Sequence, residues 1–415
     1  MTKKIIFSIF LFFGIFPILV NASTGSLIKI GNNYYESLEE AIKKAGPNDT
    51  ISLISDVELN ETLQINKKVN LDLNGNNITA TERVFLVQGG ILNIKGEGII
   101  KETEPNYSAI MVKGSTNPND KDYSLVNIDK DVTLEGWSGI FITHESSKSY
   151  GVEVNFTGKI NAVNDTSGGT GVGIYVNGNI TDSSNSPVIN IQDGAKITST
   201  GNGLYIAGYG TININEAEIS GSESGIGIKA GILNIDGANV TGTGPDATPT
   251  EGYNNGIKAS GTSIQIESNN GYAGNIELNI DDGMFVSNNS NTIYEYIGKG
   301  NSSQVIAMDI SGGTFLSKKN KDNFLLSDSL KQYHNSFISG GEYSTNPNEY
   351  LKPGYSANLE NNKYIVTQST MMSVFSNKVN ENNNIKTPII IVIVSIISIV
   401  LLYLNRTKIL NLLRK

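Results

Sequence analysis

The chain has 415 residues, 31 of them basic and 40 acidic, with 44 glycines and no cysteine. Lacking cysteine, it has neither disulfide staples nor thiol chemistry, and its acidic balance excludes nucleic acid as a partner. Aromatic residues make up only 8%, and no useful helical periodicity occurs between the two ends, so many short strands joined by tight turns are expected.

Residues 1 to 22 read as a secretory signal peptide. Lys3 and Lys4 precede an apolar run that ends in the small-residue site Val20-Asn21-Ala22. With both terminal segments set aside, 24 basic residues face 40 acidic ones, which gives the exported part a formal charge of −16.

The next segment, 23 to 70, holds an N-terminal cap and a first coil. A short amphipathic helix carries Leu38, Ala41, Ile42 and Ala45, followed by a turn with Gly46, Asp49, Thr50 and Ile51. From residue 71 an apolar–Asn/Asp–apolar triplet recurs, centred on Asp72, Asn93, Asn127, Asn155, Asn190, Asn213, Asn234, Asn279 and Asp309. Asparagine is depleted in strands, so its recurrence needs a cause. Stacked coils of just over twenty residues supply one: rungs ~4.8 Å apart place each outward amide over the next as a ladder. Such a ladder is either structural or a polar array for a repetitive ligand such as a glycan.

A second, glycine-bounded strand follows in each coil, at 84–89, 108–114, 139–144, 173–178, 203–208, 225–231 and 256–261. Its outward residues are Leu86, Met111, Phe141, Tyr175, Tyr205, Gly227 and Lys258. Phe141, Tyr175 and Tyr205, extended by Trp137, are therefore the candidate binding residues, either a stacking platform for sugar rings or a protein contact. Alternatively a loop covers the stripe, supplied by an insertion at 115–124, 145–150, 161–171 or 241–252. A corner and short third strand follow the Asn strand, and Asp281 and Asp282 read as corner chemistry rather than a catalytic or calcium pair.

The parallel β-helix spans 71 to 344 and a closing segment 345 to 366. A polar stalk covers 367 to 387, a transmembrane helix 388 to 405 and a basic cytoplasmic tail 406 to 415. The expected fold class is thus all-β, a parallel β-helix with a short capping helix and a single C-terminal transmembrane helix. The expected partners are a glycan or a host or neighbouring surface protein, and the lipid bilayer through that helix.

The stretch from Tyr35 through Leu71-Asp72-Leu73-Asn74-Gly75, together with residues 338 to 366, resembles the pectin-lyase-like right-handed β-helix domains of Gram-positive surface proteins. That resemblance implies a cell-surface rod, and the family also contains polysaccharide lyases and glycosidases. Their basic and acidic catalytic sets do not carry over. Arg83 is the sole arginine outside the terminal segments, the histidines are His144 and His334, and no aspartate pair falls outside a turn. No catalytic residue, metal or cofactor is assigned. A sorting motif is not met either, since Thr387 is followed by Pro388 where transfer needs glycine. The expected role is adhesion or glycan binding at the membrane-anchored surface. A polysaccharide lyase or glycoside hydrolase acting on uronic-acid polymers, or a purely structural rod, remain the alternatives.

Overall fold

The computed structural model describes residues 28–114, 124–144, 151–181, 183, 186–246, 261–298, 304–327 and 336–369. Every complete coil lays down three strands, one in each of three sheets. Sheet A has 12 strands, sheet B 13 and sheet C 10, and successive strands of a sheet come from successive coils. A representative coil runs Thr211–Asn215 in A, Glu218–Gly221 in B and Ser224–Ile228 in C. Between coils the pairing is parallel. The chain is therefore all-β with parallel strands, coiled as in a parallel β-helix.

Alternation does the sorting. In Thr211–Asn215, Ile212 and Ile214 are buried while Asn213 is partly exposed, as a pleat with one face on the core requires. Ile191, Ile214, Ile235 and Ile280 fall in register on the inner side of sheet A. Toward the C-terminal end the interior turns aromatic: Phe285 stacks on Phe315 at 4.8 Å, and Phe315 on Tyr343 at 4.9 Å. Phe324, Phe337 and Tyr350 pack beside them.

Both ends are closed. The helix Leu38–Lys44 buries Leu38, Ala41 and Ile42, and its N-cap Ser37 accepts a hydrogen bond from the Glu40 N–H at 3.1 Å. Ala45 is buried as well. Strand Ile28–Ile30 joins sheet A antiparallel, with Asn33–Tyr35 antiparallel outside it. At the far end Lys363–Gln368 joins sheet B antiparallel and pairs with Tyr355–Glu360. Antiparallel strands thus end a parallel stack whose rungs would otherwise offer bare edges.

Three expectations need correction. The fold class loses its transmembrane helix: among the described residues no helix is long and apolar enough to cross a membrane, and the span at 388–405 lies outside them, as do the signal segment, nearly all of the stalk and the tail. The strand placed at 256–261 is instead Thr262–Ser268, and Gln265 stands beside Gly227 where Lys258 was expected. Finally, Asn93 pairs with Asn70, while Asp72 pairs with Lys95. Val69-Asn70-Leu71 and Leu71-Asp72-Leu73 carry the same alternating pattern, and backbone pairing selects the former.

Candidate functional site

Two outer faces carry chemistry. On sheet A the asparagines form a continuous amide chain. Asn93 Nδ2 donates to Asn70 Oδ1 at 2.7 Å, Asn127 to Asn93 at 2.6 Å, Asn155 to Asn127 at 2.9 Å and Asn190 to Asn155 at 2.8 Å. Asn213, Asn234 and Asn279 continue it, each at 2.9 Å from the residue before. Every donor points toward the N-terminal end, where Asn70 Nδ2 reaches the Asp49 carbonyl at 2.9 Å. The other end stops at Asp309, whose carboxylate has no N–H to pass on and takes Lys352 Nζ at 2.6 Å. Glu153 and Glu277 each accept a further N–H, from Asn155 and Asn279.

A groove of about 470 Å³ runs beside the first half of this chain, lined by Thr50, Asn70, Asn93, Asn127, Asn155, Thr157 and Gln192, with Leu71, Ile94 and Ile128. The ladder uses one N–H of Asn93 and one of Asn127. Among the described residues nothing takes their second N–H, so it is left for solvent or a ligand. The groove's charges balance, with Lys95 against Asp129, and Lys95 also lies 3.6 Å from Asp72.

On sheet C the candidate residues do form one line. Leu86, Met111, Phe141, Tyr175, Tyr205 and Gly227 are in register. Phe141 and Tyr175 lie 4.9 Å apart between ring centres, Tyr175 and Tyr205 4.7 Å, and Trp137 sits 5.9 Å from Tyr175. Their exposure differs. Phe141 and Tyr175 are partly exposed, but Tyr205 is only 1% exposed. Tyr272 closes over it with the two hydroxyls 3.3 Å apart. Over Tyr205 the covering residue thus lies outside the four insertions expected to supply one. Gly178 makes room for Tyr272, since a Cβ there would meet the ring at 2.7 Å. Burial, then Tyr272, pushes the Tyr175 hydroxyl up to about 12. Trp137 Nε1 donates to the Thr170 carbonyl at 2.9 Å.

The remaining singled-out groups do not converge. Arg83 lies over the Tyr107 ring at 5.5 Å, and burial lowers its pKa against the opposing pull of Glu102. His144 is buried. Asp281 accepts from the Ser311 hydroxyl at 2.8 Å, while Asp282 accepts from the Gly283 N–H at 2.7 Å, which is corner chemistry. Among the described residues no group of three or more His, Cys, Asp or Glu could hold a metal ion.

Fold and faces together define a parallel β-stranded coil with an amide groove on one side and a half-covered aromatic row on another. Compared with known proteins, the chain matches no family model, no curated protein and no solved structure.

Proposed function

We propose that this chain is a non-catalytic surface-binding rod, exported behind the apolar segment of residues 1 to 22, whose sheet A groove holds an extended, uncharged polysaccharide. The carrying observation is the groove itself. It crosses successive rungs beside amides that repeat every ~4.8 Å, and Asn93 and Asn127 each keep a donor in hand. A polymer of hydroxyl-bearing rings laid along the coil axis meets a carboxamide at each step, with the free N–H groups of Asn93 and Asn127 at two of them. Balanced groove charge on an acidic rod disfavours a polyanion. The reading agrees with a place among the pectin-lyase-like surface domains of Gram-positive bacteria, and the partly exposed Phe141 and Tyr175, with Tyr205 behind them, form a second contact row.

The test is binding of the purified chain to a panel of neutral and acidic polysaccharides. Gln192→Ala and Thr157→Ala leave the ladder intact and should weaken neutral-polymer binding several-fold, whereas Phe141→Ala should matter less. Binding that falls only with Phe141→Ala moves the site to sheet C. Retention of no polymer removes the proposal.

A further inference from the structure

The outer face of sheet C holds an amine, a carboxylate and a carboxamide in one sealed cluster. Ile228 pairs with Ile266 on adjacent strands, and the next residue along each strand brings Lys229 and Glu267 side by side. Lys229 Nζ lies 2.9 Å from Glu267 Oε2. Asn269, two residues further on, donates from Nδ2 to Glu267 Oε1 at 3.0 Å. One carboxylate thus holds the amine on one oxygen and the carboxamide nitrogen on the other. Lys229, Glu267 and Asn269 are 0%, 3% and 5% exposed.

Aromatic rings wall the cluster. Tyr272 and Tyr205 face the Lys229 amine at 4.7 and 5.8 Å from their ring centres, and Tyr296 OH donates to Glu267 Oε2 at 2.6 Å. Asn269 is also held in place, since its Oδ1 accepts from the Gly271 N–H at 2.9 Å. A buried ion pair alone would cost desolvation energy for little net stability. A buried pocket that holds an amine and a carboxamide on the two oxygens of one carboxylate supplies two requirements of acyl transfer, a nucleophile beside a base and an acid beside the leaving group.

We propose that Lys229 and Asn269 become joined by an intramolecular isopeptide bond, with Glu267 as the acid–base group. The ammonium of Lys229 passes one proton to Glu267, which replaces a buried charge pair by a neutral one. The Nζ lone pair then attacks Cγ of Asn269, forming the new C–N bond, and the carbonyl electrons move to Oδ1. Glu267 gives its proton to Nδ2 and takes one from Nζ. As the carbonyl re-forms, the Cγ–Nδ2 bond breaks and ammonia leaves. Glu267 ends protonated, carrying the proton that Lys229 brought, and no oxidant or cofactor enters. The bond ties strand Ser224–Ile228 to Thr262–Ser268, one coil to the next, in a chain without cysteine.

Peptide mapping of the full chain by mass spectrometry decides the matter. The expected result is a branched peptide containing both Lys229 and Asn269, weighing its two linear parts less one ammonia, with no tryptic cleavage after Lys229. Lys229→Arg and Glu267→Gln should each abolish the branched species. Linear peptides with cleavage after Lys229 in the wild type overturn the proposal, whatever the variants do. Loss of ammonia without a branch also overturns it, because an asparagine succinimide gives the same mass. A branch that persists in Glu267→Gln refutes the role given to Glu267.

Discussion

Replacing Glu295 with Gln should flatten the dependence of stability on pH. Glu295 occupies the inward row in which the preceding coils place Ile228 and Ile266, and it is 1% exposed. Burial pushes its carboxyl up from 4.5 to about 7, opposed by hydrogen bonds from Ser327, whose backbone N–H donates at 2.7 Å. The folded state therefore binds a proton that the unfolded chain has already released. Below the unfolded value both states are protonated and no penalty exists. As pH rises the unfolded state gains the advantage of ionising, until the folded carboxyl ionises too, near 7. At 1.36 kcal/mol per unit the full penalty is on the order of 3 kcal/mol, most of it accruing between about pH 5 and about pH 8. Gln keeps an acceptor for Ser327 and carries no charge at any pH. Urea titrations of wild type and Glu295→Gln at those two pH values should show the wild type losing stability and the variant losing much less. Parallel losses would mean that this carboxyl is not protonated in the folded coil, and the argument from burial would fail.

Asn213→Leu removes the ladder bonds to Asn190 and from Asn234, worth about 0.5–1.5 kcal/mol each, and should lower the melting temperature modestly. Ile214→Asp places an unpaired charge at a site 2% exposed and should prevent folding or lower the melt far more; equal melts would reverse the assigned faces. Phe315→Ala empties the place between Phe285 and Tyr343 and should cost about 3–5 kcal/mol in chemical denaturation. Gly283→Ala sets a Cβ 2.5 Å from the Ala238 carbonyl at φ +139°, so a drop in melting temperature is expected, and an unchanged melt would show that this corner can shift.

The ladder and its outward sense were legible because period-two alternation fixes the face of each residue without any knowledge of the neighbouring coil. Register was not. Asn70 and Asp72 lie on the same face two residues apart, and only pairing with Asn93 and Lys95 tells them apart. The segment at 256–261 imitates the glycine-bounded pattern, while the strand Thr262–Ser268 carries Gln265 at an outward place where earlier coils have apolar residues or glycine, and Glu267 two residues on. Those polar residues were the available sign that this part of sheet C is covered, together with Lys229 ending a strand otherwise built of serine, glycine and isoleucine. Closure of Tyr205 by Tyr272 could not be read in advance, because the two are 67 residues apart and no local pattern links them.

The place where the interior turns aromatic limits how such a chain can change its length. From Lys68–Asp72 to Ile276–Ile280 each coil offers the next an amide above an amide and mostly aliphatic side chains above aliphatic ones. A duplicated unit as short as the 21 residues separating Asn213 from Asn234 would find matching neighbours on both sides. Beyond Phe285 it would not, since Phe285, Phe315 and Tyr343 are matched ring on ring and Asp309 passes on no N–H. In-frame gain or loss of whole coils should thus be tolerated upstream and rejected downstream, which would let the stack change length while keeping one fixed end.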